Sequence, residues 1–497
     1  MHFSFYALRF FVMFPSRYQI FRLSLIAFLC GVALFSSGVV HFFSAYVLIL
    51  FCGVVALLGR NMVGMRYACI VVGCFSLGMM VTARTGAIEV FIPDHTPFSF
   101  SGRISADPSF QNAHQVLMLD AVEHDPAVRG ALRVVVPLFP AYRIDEQVSG
   151  TCSSFKKAQR NGAAPTCVFG AITARQESEL SLRGVLGRVR NFFGDAIGAG
   201  LPRPQSDLLA GLLIGVHGSF STDLADIFRR SGLSHIVAVS GSNISLVIAG
   251  LWSIFASMRI GRRKSFWVMV CGIVLFVLLT GATSATVRAG SMGLLILYAQ
   301  YIGRLSQSTP VLLVTATGMV ALNPGILLNN IGFQLSCLAT LGLIVLSPHL
   351  VARLVFVPAW GGIRDVVAQT LSAMLFTAPL IIAVFQTFSV VGFFANILVV
   401  PVIPFIMAIG FGWSTVAAAS FALGGIFSFS FQSFVSFLAL PVYGFLSYCI
   451  QTASFFASLP YASIALDPGS WTPAFLLCSY AAVALLVWAL SIDYRHE

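Results

Sequence analysis

The chain has 497 residues, of which 58% are hydrophobic and only 9% are charged, and its formal net charge is +11. Soluble proteins carry about a quarter charged residues. The composition therefore excludes a soluble globular protein and indicates one that crosses a membrane several times. The positive charge alone does not indicate a nucleic-acid partner, because cytoplasmic loops of membrane proteins are enriched in Lys and Arg.

The first part of the chain, residues 1–90, is predicted to hold three membrane spans. Apolar stretches of spanning length occur near 23–38, 41–58 and 67–82. Basic residues precede the first stretch and separate the second from the third (Arg9, Arg17, Arg22, Arg60 and Arg66). The positive-inside rule then places the N-terminus in the cytoplasm and residues 83–234 outside it.

Residues 91–178 are predicted to form a small extracytoplasmic β domain inserted between the spans. Five short stretches alternate apolar and polar residues and are separated by Gly, Pro and Asp, which suits an OB-like barrel. The net charge over 97–175 is modest, so a spacer domain without nucleic-acid contacts is an alternative.

Cys152 and Cys167 are the two of the ten cysteines that lie in this exterior domain. They flank the segment KKAQRNGAAP between two predicted strands, so we expect a disulfide that closes a hairpin loop in an oxidising compartment. Their spacing and the lack of a nearby His cluster argue against a zinc site, and we expect no metal.

Residues 179–232 are predicted to form an amphipathic helix followed by short connecting helices. The segment LRGVLGRVRNFFGDAIGAGL carries Leu, Val and Phe on one side and arginines on the other, a pattern typical of a helix at a membrane surface. Pro202 and Pro204 end it.

The segment SGLSHIVAVSGSNISL, residues 231–246, places polar side chains at the start of a predicted span. Unpaired polar groups are costly in a bilayer core, so these side chains are expected to face a bundle interior. The small residues predict a discontinuous helix that lines a path through the membrane.

Residues 233–497 are predicted to form the main transmembrane domain, with nine spans. These lie near 235–257, 265–281, 285–302, 309–321, 326–346, 366–386, 391–418, 430–459 and 471–490. The fold class is thus a polytopic α-helical membrane protein of about 12 spans with both termini in the cytoplasm.

Carboxylates are nearly absent from this domain. After residue 234 they are Asp365, Asp467, Asp493 and Glu497, all at predicted loops or termini. Their positions argue against the carboxylate relay typical of ion-coupled pumps and suit a path for a polyanion. Arg288 lies near the outer end of a span, where it would meet an entering anion or would snorkel to the interface.

Further polar residues stand within the predicted spans, namely Asn323, Asn329, Asn330, Gln334, Ser336, Gln386, Ser389 and Asn396. Each alone is more typical of a hydrogen bond between helices. Together with Ser240–Asn243 and Arg288 they predict a shared polar interior. Walker A, HExxH and other catalytic motifs are absent from the sequence, so we expect neither enzymatic activity nor a cofactor.

Five blocks occur in one order between about 210 and 404: AGLLIG, GLSHIVAVSGSNISL, SATVRAGSMGLLIL, NPGILLNNIGFQLSCLATLGLIVL and PLIIAVFQTFSVVGFFANILVVPVIP. These blocks resemble the ComEC family of bacterial competence proteins, inner-membrane channels that carry single-stranded DNA during transformation. The leading spans and the exterior domain resemble the N-terminal portion of the family in position and strand pattern. Family members often have a histidine in this block, after the residues SG-L. This chain has Asn243 there instead, so a functional role of the histidine side chain cannot be carried over to it.

The resemblance implies a helical bundle around a polar path for single-stranded DNA. The path would be lined by His235, Ser240, Asn243, Arg288, Asn330, Gln334, Ser336 and Asn396. The exterior domain would gather the strand with basic residues and stacking aromatic rings, namely Arg103, Phe110, Arg129, Arg133, Arg143, Phe155, Lys156, Lys157 and Arg160.

The resemblance also implies partners. These partners are membrane lipids, a DNA receptor outside the membrane and a helicase-type motor in the cytoplasm. Larger family members carry a metallo-β-lactamase-like domain, and here a separate nuclease would take its role. Whether the protein forms an oligomer is left open. Two alternatives stay open: a secondary transporter of a small anionic or lipid-linked solute, and a membrane scaffold whose exterior domain binds envelope components.

The predicted orientation is testable with reporter fusions. A periplasm-dependent reporter fused after Gly170 should be active, and the same reporter fused after Arg263 should be inactive, because the basic loops alternate. The reverse pattern of activity would overturn the orientation.

Overall fold

A computed structural model describes residues 17–36, 74–79, 81, 98–104, 109–111, 114–120, 132–137, 142, 146–156, 166–176, 182–215, 222–237, 241–257, 262–304, 307–358, 362–422, 429–466 and 469–493. The chain divides into two compact units, residues 1–88 with 306–334 and residues 89–305 with 335–497. The domain boundaries derived from the sequence stay a prediction.

The structure is mostly helical. In chain order its helices are α1 (Arg17–Ser36), α2 (Leu182–Gly200), α3 (Gln205–Ile214), α4 (Thr222–Arg230), α5 (Ser234–Val237), α6 (Gly241–Ser257), α7 (Arg262–Leu279), α8 (Ser284–Tyr301), α9 (Ser308–Leu322), α10 (Ile326–Asn329), α11 (Ile331–Val345), α12 (Ser347–Arg353), α13 (Ile363–Phe385), α14 (Gly392–Val399), α15 (Ile403–Ala422), α16 (Phe429–Ser458) and α17 (Thr472–Asp493).

Three stretches of helix in the described part are long and apolar enough to span a membrane: Ile363–Phe385, Gly392–Ala422 and Val435–Ser458. The pair α11 and α12, bent by 43°, would add a fourth if it formed one span. Every span predicted after residue 234 coincides with a helix or an interrupted pair of helices. The predicted span 41–58 lies outside the described residues, as does most of 67–82, so a total of twelve stays a prediction.

The β domain is a six-stranded sheet that curls back on itself. Its strands are β1 (Phe98–Ile104), β2 (Ser109–Gln111), β3 (His114–Asp120), β4 (Leu132–Pro137), β5 (Gln147–Lys156) and β6 (Thr166–Gln176). The order is β1-β5-β6-β4-β3-β2, and β1 also pairs with β3. The β4–β6 pairing is parallel and the other pairings are antiparallel.

Alternation along the strands fills the interior of this sheet with apolar side chains. Phe100, Leu117, Leu132 and Val148 are among its buried residues. Cys152 and Cys167 lie in the same core and form the predicted disulfide, with a Cα–Cα distance of 5.8 Å. This cross-link joins β5 to β6 and closes the excursion between them.

The helices of the second unit share one apolar core. The buried face of α3 (Leu208, Leu209 and Leu212) packs with residues of α14, α15 and α16. Glycines allow neighbouring helices to approach closely. A Cβ atom added at Gly410 would lie 2.7 Å from the side chain of Leu209, and one added at Gly200 would lie 2.6 Å from the ring of Trp413. The α2 helix, predicted for a membrane surface, packs in part against α15.

Different contacts hold the two ends of helix α13 in the second unit. Arg364, at the start of α13, donates hydrogen bonds to the carbonyls of Val355 and Val357, and Arg353 donates to the carbonyl of Leu490 near the end of α17. After α13 and α16 the chain forms a short ribbon in which β7 (Thr387–Ser389) pairs with β8 (Ser463–Ala465). Arg353 and Arg364, which belong to predicted cytoplasmic loops, therefore both lie near the start of α13, and the ribbon follows its other end.

The disulfide should contribute to stability. Replacing Cys152 and Cys167 by Ser is expected to lower the free energy of unfolding of the β domain by about 2–4 kcal/mol, because the cross-link restricts the unfolded chain. Unreduced peptide mapping and thermal unfolding measure the bond and its effect. The exposed Cys271 provides the control, and Cys271→Ser should leave unfolding unchanged. Free thiols at 152 and 167 in oxidised protein would contradict the prediction.

Candidate functional site

Helical residues of α5 and α6 flank the predicted break in the polar segment, and the break itself, at residues 238–240, lies outside the described residues. Before α5, Gly232 adopts a left-handed conformation (φ +73°) and ends α4, where the Leu233 amide donates to the carbonyl of Phe228 (2.8 Å). This is the common glycine cap of a helix C-terminus.

The turn at Gly232 is docked on the start of α14. A Cβ at Gly232 would lie 2.8 Å from Cα of Gly392. The hydroxyl of Ser389 donates to the carbonyl of Arg230 at 2.8 Å. Two of the sequence blocks, GLSHIV and FSVVGFF, are thus brought together by backbone contact that only a residue without a side chain permits.

Asn243 ties α6 to α3. Its side chain is buried, and Nδ2 donates to the carbonyl of Leu212 at 3.1 Å. His235 in α5 has an exposed side chain, whereas the adjacent Ile236 is packed in the core. Ser240 lies outside the described residues.

Arg288 is a buried arginine of the second unit. It lies in the second turn of α8 and is only 5% exposed. Nε donates to the hydroxyl of Ser336 (2.7 Å) and Nη1 to that of Thr340 (2.8 Å), two residues one turn apart on α11. The predicted path residues Arg288 and Ser336 are therefore in direct contact.

No carboxylate pairs with Arg288 within the described part of the chain. The ion pairs found there are Arg203–Asp207 and Arg229–Asp226, both before residue 234. The hydroxyl partners of Arg288 accept hydrogen bonds but carry no charge. A buried cation held in this way keeps its full positive charge, which is costly without a counter-ion.

Asn330 and Gln334 belong to the first unit, where both make local contacts. Oδ1 of Asn330 accepts from the amide of Phe333 (2.8 Å), which caps the start of α11. Nε2 of Gln334 donates to the carbonyls of Leu327 (2.8 Å) and Leu328 (2.9 Å) of α10. Both side chains satisfy backbone groups at the junction of the two helices.

Asn396 is buried in α14, and its Oδ1 atom has no hydrogen-bond partner among the residues that the structure describes. An unpaired buried amide costs about 1–3 kcal/mol relative to a paired one. Such a group is expected where a ligand or a second conformation supplies the partner.

The residues predicted to bind nucleic acid are partly described. Arg103 on β1 is exposed and Arg133 on β4 is half-buried; both alternate with inward-facing neighbours, so they lie on the outer surface of the sheet. Phe110, Phe155 and Lys156 lie on strands. Arg129, Arg143, Lys157 and Arg160 lie outside the described residues.

The sequence-based prediction missed one cluster of polar residues. Gln205, Ser206 and Asp207 at the start of α3 are buried, and Nε2 of Gln205 donates to the hydroxyl of Ser447 (3.0 Å). Asp207, Arg203 and Asp223 line a cavity of about 380 Å³. Burial raises the pKa of the Asp207 carboxyl, and the nearby Arg203 partly opposes this shift. The signal was present in PQSD, whose polar residues precede the apolar run of a short helix.

The same helical region matches a protein family. The sequence model of the family described as Competence protein matches residues 212–491, more than half of the chain. This chain belongs to the Competence protein family. The predicted resemblance to the ComEC group is thereby confirmed.

A curated relative supports the family assignment. ComE operon protein 3 of Bacillus subtilis (strain 168) is 25% identical over 201 residues, which are 40% of this chain and 25% of that protein. The matched segment thus spans a quarter of the length of the relative. No solved structure matches this chain.

The Competence-family match contains every predicted path residue and none of the β domain. Gly232, Asn243, Arg288 and Asn396 all lie inside it. The contacts between family blocks described above therefore belong to the part of the chain that defines the family.

Gly232 should be essential for joining these blocks. Gly232→Ala is expected to lower the free energy of unfolding by more than about 2 kcal/mol, because it adds a left-handed alanine and a contact with Gly392. Gly303 provides the matched control, since its φ is +74° and an added Cβ meets nothing within 4 Å. Gly303→Ala should cost only about 1 kcal/mol. Equal losses in thermal unfolding would show that the docking contact contributes nothing.

Proposed function

We propose that this protein conducts single-stranded DNA across the bacterial inner membrane during natural transformation. One observation carries the proposal: the Competence-family match covers the helices that hold Arg288, a buried cation without a carboxylate partner in the described part of the chain. A polyanion is the kind of solute that such an interior favours and that buried carboxylates would repel. The description of the matching family, Competence protein, agrees with a role in competence.

The exterior sheet would receive the strand as an OB-like barrel. The pairing order supports this, because β1, β3, β4, β6 and β5 close a five-stranded ring in which β4 and β6 are parallel. OB-folds bind oligonucleotides on the second and third strands and in the loops between strands one and two and strands four and five. In this chain those positions are β3, β4 and two connections between strands. The connection from β1 to β3 includes Phe110 on β2, and the connection from β5 to β6 includes Lys157 and Arg160 in its sequence.

The membrane part would then have about 12 spans, with both termini in the cytoplasm and residues 83–234 outside. A motor in the cytoplasm would supply the driving force, since no nucleotide-binding motif occurs in the sequence. A DNA receptor outside and a separate nuclease would complete the system. His235, Asn243, Asn330, Gln334 and Asn396 would shape the path, together with Ser240, Arg288 and Ser336.

A substitution of Asn396 is expected to lower DNA transport without lowering protein stability. Asn396→Leu replaces an unpaired buried amide by an apolar side chain of similar volume, so the free energy of unfolding should hold or rise. If Asn396 serves the DNA path, transformation of a complemented deletion strain should fall about tenfold or more at unchanged protein abundance. Transformation frequency, uptake of labelled DNA and immunoblotting measure these effects.

Gln334→Leu provides the comparison, because Gln334 makes two hydrogen bonds with α10. Its loss should lower stability and abundance first, with transformation falling in proportion. Normal transformation with Asn396→Leu would remove Asn396 from the path. Failure of the unaltered gene to restore DNA uptake, with uptake of a small anion instead, would favour a solute transporter.

A further inference from the structure

Helix α17 has one side that is exposed along its whole apolar stretch. Exposed residues recur there every three or four positions, which marks one face of a helix. This exposed stripe includes Ala474, Leu477, Cys478, Ala481, Ala482, Leu485, Trp488 and Ala489. None of these side chains is charged, and none contains an oxygen atom. The stripe therefore offers water almost no hydrogen-bonding groups.

The other side of α17 packs against α13. The hydroxyl of Tyr480 donates to the carbonyl of Phe376 (3.3 Å), and Arg353, which precedes α13, donates to the carbonyl of Leu490 (3.5 Å). The later residue of α17 thus contacts the earlier part of the other segment, so the two helices run antiparallel. Since α13 is itself one of the stretches long and apolar enough to span a membrane, α17 lies beside a candidate span.

A tryptophan stands at each end of the exposed stripe. Trp471, immediately before α17, is 75% exposed, and Trp488 is 63% exposed. They are 17 residues apart in the sequence. A helix of that length measures about 26 Å, close to the hydrocarbon core of a bilayer at about 30 Å. Tryptophan is enriched at both membrane–water interfaces, where its amphipathic ring sits at the headgroup level.

Other exposed aromatic rings lie at the same two ends of the α13–α17 pair. Tyr461, which is 83% exposed, precedes β8, and the β7–β8 ribbon directly follows the end of α13. Phe356, which is 81% exposed, lies in the loop whose carbonyls accept hydrogen bonds from Arg364 at the start of α13. Aromatic side chains at both ends with an apolar stripe between them are the pattern of a helix that faces lipid.

We propose that the exposed stripe of α17 is a lipid-contact surface of the second unit. Acyl chains would cover Leu477, Cys478 and Leu485, and the two headgroup layers would lie at Trp471 and Trp488. The apolar stretch Ala474–Leu490 is shorter than the three candidate spans named above, and the flanking tryptophans complete its length. With one face on α13 and the other on lipid, α17 would lie at the rim of the bundle.

The native Cys478 provides a probe at the middle of the stripe, because its side chain is exposed. The full-length protein is prepared with every other cysteine outside the Cys152–Cys167 disulfide replaced by Ala, labelled at Cys478 with bimane and placed in nanodiscs. Lipids brominated in the middle of the acyl chain should quench most of the bimane fluorescence. Bimane on Tyr461→Cys, with Cys478 also replaced, provides the control and should be quenched only weakly, because that position lies at the interface.

Two other results would overturn the lipid assignment. Absence of quenching, together with an oxidant-induced disulfide between Cys478 residues of two molecules, would show that a second copy of the chain covers the stripe. Modification of unlabelled Cys478 by a water-soluble maleimide as fast as that of Tyr461→Cys would show that the stripe faces water.

Two alanine-to-lysine substitutions test the same surface in cells. Ala481 lies near the middle of the stripe, whereas Ala489 is adjacent to Trp488. Ala481→Lys should lower the amount of protein in the membrane about tenfold, because a charge at the bilayer centre is costly. Ala489→Lys should leave that amount unchanged, because a lysine near a helix end can snorkel to the interface.

Immunoblotting of membrane fractions measures both variants. Equal amounts of Ala481→Lys and Ala489→Lys protein would place the stripe outside the hydrocarbon core and overturn the assignment. DNA uptake enters none of these measurements, so failure of the proposed function in a transformation assay would leave the lipid-contact surface intact.

Discussion

Pairing of polar groups inside an apolar helical bundle is the constraint on which this structure depends. A group without a partner in such surroundings costs several kcal/mol, so each buried amide or hydroxyl needs a donor or acceptor nearby. Most of the described polar side chains meet this demand through backbone carbonyls, as Asn243 does with Leu212 and the Trp413 indole N–H with Val435. Arg288 meets it only in part, because hydroxyl groups satisfy hydrogen bonds without neutralising charge.

Close backbone approach is the second feature that joins the helices. Gly232 meets the backbone of Gly392, and Gly410 meets the side chain of Leu209, so elements distant in sequence come into contact. In the first unit, Gly31 and Gly78 approach the backbone of Phe75 and Phe28 in the same way. Small residues at such crossings replace the hydrophobic driving force that lipid cannot supply.

The β domain is stabilised differently from the helices. Its apolar core is small, and a disulfide between β5 and β6 adds a constraint that a membrane bundle does not need. The β1–β3 pairing leaves the sheet without an open edge on that side. Closure protects strands that would otherwise pair with other chains.

The sequence by itself determined the class of protein, the helix positions after residue 234, the main strands of the β domain, the disulfide and the family. These follow from composition, apolar length, alternation and motif order, which are local properties of the chain. It also singled out Arg288, since an arginine in an apolar run is conspicuous.

Only the tertiary structure decided what the polar residues contact. Asn330 and Gln334 are predicted path residues, and only the structure shows that they pair with backbone groups at a helix junction. Asp207 stands before the apolar domain in sequence, but folding buries it at the start of α3. The hydroxyl partners of Arg288 lie 48 and 52 residues away in the sequence. Contacts between distant residues depend on how helices cross, and no local pattern encodes that geometry.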